Sequence, residues 1–203
     1  MKNKWVLFLF IAMIFLGAQM PASADVQNGQ TAPDFTLADV NGEEVSLSDF
    51  DGKYRVLEWT NHECPFVVKH YGSGNMQSLQ KAYTEKDVVW ITINSSAHGK
   101  QGHFEPEKWL EILEENNSSA TTTLLDPDGK VGKLYGAKTT PHMYIIDPKG
   151  VLIYQGAIDS IASTDPDDIA DSVNYVSQAL DEAMAGEPVS EPLTKAYGCS
   201  VKY

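Results

Sequence analysis

Trp59-Thr60-Asn61-His62-Glu63-Cys64-Pro65-Phe66-Val67-Val68-Lys69-His70 is the stretch on which the fold turns. Leading into it, Tyr54 to Thr60 carries Val56, Leu57 and Trp59 in a nearly continuous apolar run, the pattern of a buried strand. Asn61 to Glu63 is a short polar turn. Pro65 suits the first position of a helix, because its missing N–H would have had no intrahelical partner. Cys64 then stands at the helix N-cap, where free N–H groups and the helix dipole favour an anion. Such a position lowers a thiol pKa and supplies thiolate, the form that attacks sulfur or peroxide oxygen. The alternative for Cys64 is a buried, inert thiol.

Working outward, Phe35–Leu37 and Val45–Leu47 flank the turn signal Asn41-Gly42 and predict a hairpin. Gly72-Ser73-Gly74 interrupts the helix that starts at Pro65, and helix resumes over Met76–Lys86. Val88–Asn94 is a second apolar strand. Ser95–Phe104 is polar, carries His98 and His103, and reads as an exposed loop. Pro106–Asn116 is a helix with Trp109, Leu110, Ile112 and Leu113 turned inward, Thr121–Asp126 a short strand, and Lys130–Tyr135 a short helix stopped by Gly136. Met143–Asp147 and Val151–Gln155 form an antiparallel hairpin across Pro148-Lys149-Gly150. Asp165–Ala185 reads as one long last helix, capped by Asp165 and Pro166, with Ile169, Val173, Val176 and Leu180 on its inner face. Strands alternating with helices and closing on a hairpin give an α/β layer fold.

The first residues read as an export signal. Lys2 and Lys4 precede an apolar run, Trp5–Ala18, and Ala22-Ser23-Ala24 is a small-residue cleavage site. The alternative is a retained N-terminal anchor, although the run is short for a membrane span. The organisation expected is a signal peptide over 1–24, one domain over 25–186, and a tail over 187–203 that carries Cys199. The net charge of −13 over 203 residues becomes −15 without the two lysines of the leader. A chain this acidic lacks the clustered Lys and Arg that nucleic-acid phosphates require, and has no basic amphipathic face for anionic lipid. The protein expected is therefore periplasmic or secreted, with no nucleic-acid partner and no stable membrane association after cleavage. Two cysteines remain, Cys64 and Cys199, and in an oxidising compartment two cysteines form either a structural staple or a working redox pair. The tail is long enough to reach across a domain to Cys64.

Cys64-Pro65-Phe66-Val67 after a hydrophobic strand, with Thr139-Thr140-Pro141 before Met143-Tyr144-Ile145-Ile146-Asp147, resembles the thioredoxin superfamily. Gly29-Gln30-Thr31-Ala32-Pro33-Asp34-Phe35 and Asp147-Pro148-Lys149-Gly150 are similar to the opening and the late hairpin of its redoxin branch, the alkyl hydroperoxide reductase/thiol-specific antioxidant group. The resemblance covers roughly Gly29 to Met184. It implies a thioredoxin-like α/β fold, a central mixed sheet flanked by helices, with an N-terminal hairpin extension. It also implies that Pro141, preceded by Thr140, is the cis-proline facing the cysteine, and that Glu58 accepts protons where thioredoxins bury an aspartate. The alternative for Glu58 is a solvent-facing acid paired with Arg55.

Two departures bear on chemistry. Val67 occupies the place of the second thioredoxin cysteine, so the partner of Cys64 is Cys199, a cysteine of another protein, or a small thiol. Typical peroxiredoxins have a Pro-x-x-x-Thr-x-x-Cys run and an arginine near the site, whereas this chain has Leu57 and Asn61 at those spacings and Arg55 as its sole arginine. His62 and His142 flank the expected site, where they would lower the thiol pKa or move protons. With Cys64 they also make a candidate soft-metal set, but no tight ligand spacing supports it, and neither a metal nor a cofactor is expected. The function expected is a thiol oxidoreductase in which Cys64 attacks a disulfide or a peroxide, Cys199 resolves, and an external thiol restores the enzyme. The catalytic set is Cys64, Cys199, Glu58, Pro141, Thr140 and His62. The alternatives are a non-catalytic module stapled by Cys64–Cys199 and a metal-handling protein.

Overall fold

A computed structural model of the chain describes residues 26–203, so the expected signal peptide lies outside the described residues. The strand read from Tyr54–Thr60 is β3, Arg55–Trp59 in a chain that first forms the hairpin β1 (Thr36–Asp39) and β2 (Glu44–Ser46). After β3 come helices α1 (Pro65–Gly72) and α2 (Asn75–Thr84), strand β4 (Val89–Asn94), helix α3 (Pro106–Glu115), strand β5 (Thr122–Leu125) and helix α4 (Lys130–Tyr135). The two-residue β6 (Thr139–Thr140), the hairpin β7 (His142–Ile146) and β8 (Leu152–Gly156), helix α5 (Tyr175–Met184) and the two-residue β9 (Cys199–Ser200) complete the order.

Seven strands form one mixed sheet in the order β2-β1-β5-β4-β3-β7-β8. β3, β4 and β5 run parallel, and β7 pairs antiparallel to β3, with Trp59 opposite His142. Every residue of β3 and β4 is buried, as expected of strands covered on both faces. Strand alternation sorts β3 cleanly. Leu57 and Trp59 face a core shared with Ile91, Ile93, Tyr144 and Tyr135 of α4. Val56 faces the opposite core, built from Val67, Met76, Trp90, Ile145 and Leu180, in which Cys64 also lies. The architecture is thioredoxin-like, with the N-terminal hairpin added at the β5 edge.

Two helical expectations need correcting. The segment from Asp165 is not one long helix: a 3-10 turn over Pro166–Ile169 is followed by irregular chain, and α5 starts at Tyr175 with Asn174 as its N-cap, accepting from the amide of Ser177 at 2.9 Å. The break occurs because the backbone there pairs with the segment after β8: Ser160 N–H donates to Val173 O at 3.0 Å and Tyr175 N–H to Ile158 O at 3.0 Å. Val173 is consequently half exposed. In α3, Trp109 and Ile112 point inward but Leu110 lies outside the buried stripe.

Residues 187–203 are laid along the body of the protein. Backbone bonds between Gln155 and the Pro192–Thr194 segment tether its start. The Thr194 hydroxyl meets Tyr154 OH at 2.7 Å and accepts from Ala157 N–H at 2.9 Å. Tyr197 OH donates to Asp159, and β9 pairs with β6 so that Cys199 lies opposite Thr140. Tyr203 OH donates to Ala137 O at 2.8 Å.

Candidate active site at the start of helix α1

Cys64 is the N-cap of α1, with Pro65 at the first helical position and extended backbone angles (φ −84°, ψ 124°). Its amide donates to Asn61 O at 2.9 Å, closing the turn after β3, and its carbonyl accepts from Val67 and Val68 at 2.9 Å, opening the helix. The side chain is buried. Its Sγ–H donates to the carbonyl of Thr140 at 3.1 Å. The Thr140–Pro141 peptide is cis, as the resemblance implies. Antiparallel pairing of Thr140 with Cys199 brings the tail cysteine to the same carbonyl-bearing residue, and Cys199 packs on the buried cluster that holds Cys64. Both are free thiols, and Cys199 is partly exposed where Cys64 is not.

The two sulfurs have opposite acidities. Burial pushes the Cys64 thiol up, but the Cys199 S–H, the Thr140 side chain and the amides of Val67 and Cys199 outweigh it, and the net direction is down. The Thr140 hydroxyl is otherwise buried with no hydrogen-bond partner, which leaves it available to a thiolate. Cys199 is pushed up to about 11, by burial first and then by the hydrogen bond and charge of Cys64. Cys64 is therefore the more acidic thiol of the two.

Glu58 is fully buried and pairs with nothing cationic. Its carboxylate accepts from Trp90 Nε1 at 2.8 Å, Tyr71 OH at 2.9 Å and Gln80 Nε2 at 3.3 Å. Burial raises its pKa, with those donors opposing. The alternative pairing with Arg55 is overturned by strand geometry, since residues three apart on β3 face opposite ways. Arg55 instead binds Asp51 at 2.7 Å and Asp147 O at 2.9 Å, at the end of β3 remote from Cys64. No guanidinium therefore reaches the sulfur.

His62 packs tilted against Tyr71 and edge-on against Trp109, with ring centroids 4.5 and 5.4 Å away, between the Glu58–Tyr71 pair and the turn before Cys64. Burial pulls its pKa down to about 4. His142, the first residue of β7, is likewise lowered to about 4 by burial and then by Lys138. Both are neutral at pH 7, which corrects the expectation that they stabilise the thiolate by charge. His142 Nδ1 is engaged by Tyr144 OH at 3.1 Å and Lys138 N–H at 3.3 Å, and the candidate trio of His62, Cys64 and His142 does not converge as a ligand cluster among the described residues.

Sequence reasoning missed the site's second layer. Lys69, in the middle of α1, is fully buried with Nζ 3.4 Å from Asp159, and Tyr197 OH donates to the same carboxylate. His70, beside it, is lowered to about 4, by burial first, with Asp159 and Lys69 opposing each other. An acid after β8 and a tyrosine two residues before Cys199 were the available signals, and neither is local to α1. This network pins the tail immediately upstream of its cysteine.

Among proteins of known sequence, the Thioredoxin-like protein YneN of Bacillus subtilis is 28% identical over 159 residues, covering 75% of this chain and 88% of its own. The Thiol-disulfide oxidoreductase ResA of Bacillus thuringiensis is 24% identical over 162 residues, covering 76% and 88%. Among solved structures, an uncharacterised conserved protein of Geobacillus kaustophilus superposes with a TM-score of 0.76 at 29% identity, covering 87% of this chain and 92% of that one. The family pattern described as AhpC/TSA matches residues 28–155. A cysteine capping the helix after a buried strand, a cis-proline opposite it and a family match across most of the domain agree: this chain belongs to the AhpC/TSA family of thioredoxin-fold proteins.

Proposed function

We propose that the protein is an exported thiol–disulfide oxidoreductase in which Cys64 is the nucleophile and Cys199 its resolving partner within the same chain. The observation that carries this reading is the pairing of Cys199 with Thr140, whose carbonyl accepts from the Cys64 thiol, so that an acidic and a basic thiol share one pocket. In the forward step Cys64 thiolate attacks one sulfur of a substrate disulfide, forming a mixed disulfide and releasing the other sulfur as thiolate. Cys199 loses its proton and attacks the Cys64 sulfur, forming Cys64–Cys199 and releasing the substrate's second thiolate. The substrate gains two electrons, the protein loses two, and an external thiol reductant returns them. Thr140 and the α1 N-terminus supply donors to the Cys64 thiolate. Pro141 shapes the backbone opposite it, and Glu58, with Tyr71 and His62, is a buried proton acceptor behind it. The names of the YneN and ResA relatives support disulfide chemistry, and a positive, apolar N-terminal run supports export. No helix of the described residues is long and apolar enough to cross a membrane.

A reduced Cys199→Ser variant mixed with a disulfide-bonded peptide tests the reading. It accumulates a mixed disulfide on Cys64, seen by intact mass and peptide mapping, while the wild type goes on to the internal disulfide. An adduct on Cys199 in Cys64→Ser protein at comparable rate, or oxidised wild type linked solely between chains, defeats the proposal.

A further inference from the structure

A cluster of metal-ligating groups that includes neither cysteine lies where the Ser95–Phe104 loop meets the start of α3. His98, His103 and Glu105 each bring one ligand atom within 4.8 Å of the others. The imidazoles of His98 and His103 have centroids 4.2 Å apart, and Nε2 of His103 lies 3.6 Å from Glu105 Oε1. The informative atom is that Nε2. Nδ1 of the same ring sits 3.2 Å from the carbonyl of Ser96, which can accept but not donate, so Nδ1 donates there and Nε2 is the nitrogen turned to Glu105. Nε2 is buried and has no hydrogen-bond partner. Nε2 thus faces the Glu105 carboxylate across 3.6 Å without a hydrogen bond between them, a gap that one ion can bridge. A carbonyl on one ring nitrogen with the other left free is also how metal-bound histidines are oriented.

The surrounding backbone is fixed. Gly102 N–H donates to the Glu63 carboxylate at 2.6 Å, Ala97 N–H donates to Lys202 O at 2.8 Å, and Glu105 is the N-cap of α3. Zinc bonds of about 2.0–2.1 Å in a tetrahedron place donor atoms about 3.3 Å apart. The present spread is closed by rotation of His98 and Glu105, whose side chains are exposed. A cavity of about 250 Å³, bounded in part by Phe104, Leu125 and Pro127, opens beside the three ligands.

We propose that His98, His103 and Glu105 bind one divalent ion of the zinc class, with a fourth position facing that cavity. Two imidazoles and a carboxylate are a nitrogen–oxygen set suited to zinc and too poor in oxygen for calcium or magnesium. No sulfur belongs to this ligand set.

The test uses the full chain as the Cys64→Ser/Cys199→Ser double variant, which removes thiolate ligands. Equilibrium dialysis against Zn²⁺ with metal analysis is expected to give one ion per chain. In the same background, His98→Ala and His103→Ala each weaken binding by more than about tenfold, the least that loss of even an outer partner of a ligand causes. His98 is exposed, so its variant decides the matter if His103→Ala does not fold. Co²⁺ in place of Zn²⁺ gives visible bands of a nitrogen–oxygen site. Absence of bound zinc in the double variant, or equal affinity in His98→Ala, overturns the proposal.

Discussion

Cys64 and Cys199 meet at Thr140 but are held there in different ways. The strand and helix around Cys64 are bonded along their own length, and β3 and the cysteine are wholly buried. Of residues 187–203 none reaches full burial, and the tail is kept in place by separate attachments: Thr194, Tyr197, β9 and Tyr203. Displacing Cys64 means opening the core, which approaches global unfolding, whereas the tail can detach by a local opening of lower free energy. An attacking thiol needs a fixed, acid-lowering environment. A resolving thiol must yield when substrate occupies the pocket and return afterwards.

That contrast is broken most completely by Cys64→Ser. Disulfide reduction is expected to fall to the uncatalysed background, while Cys199→Ser completes one attack and stops, as single-turnover mass analysis will show. Next in size is Gly198→Val. Gly198 has φ +136°, and a Cβ there would run into the Thr140 carbonyl, so β9 lifts from β6. The rate of internal disulfide formation then drops toward that of a loose tethered tail, with an effective concentration of about millimolar. Far-UV circular dichroism stays unchanged, because the seven-stranded sheet is untouched and β6–β9 is only two residues long on each side.

Tyr197→Phe is milder. It removes a hydrogen bond to a buried carboxylate, worth about 1.5–3 kcal/mol to the docked tail, and hydrogen exchange in residues 195–203 should rise accordingly. The pH profile sharpens the comparison further. Since the folded pKa of Cys64 is depressed, alkylation rises with pH and levels off below the range of an ordinary thiol, about 8.5. In Cys199→Ala protein, which lacks the S–H donor, the inflection moves upward. The smallest expected effect is none at all: Arg55→Lys leaves the rate of Cys64 oxidation by hydrogen peroxide unchanged, because Arg55 is bonded to Asp51 and Asp147 instead of standing at the sulfur. A large loss would place the guanidinium in peroxide activation, as in typical peroxiredoxins.

What could be read from the chain follows the same division. β3, the Pro65 helix and the Asn41-Gly42 hairpin depend on neighbours in sequence, so apolar runs and turn residues reveal them. Glu58 remained open because β3 is apolar on both sides, and burial of its carboxylate depends on Trp90 and Gln80, far along the chain. The charge states of His62 and His142 required their burial to be known. The break before α5 was hidden because Asp171-Ser172-Val173 is compatible with a helix until the segment after β8 claims its backbone. His98, His103 and Glu105 have no tight spacing and converge through the fold of their loop on Ser96 and the α3 cap.

The pairing of Thr140 with Cys199 also sets the order in which the protein becomes reactive during synthesis. Thr140 follows Cys64 by 76 residues, and Cys199 is 135 positions later, 199 less 64. At about 5–20 residues per second, Cys64 leaves the ribosome roughly 7–27 s before Cys199. Cys64 lacks the Thr140 side chain for the first 76 residues of that interval and the Cys199 groups for all of it, and these are groups that lower its pKa. On the proposed reading, Cys64 gains its full set of thiolate donors only when the tail settles.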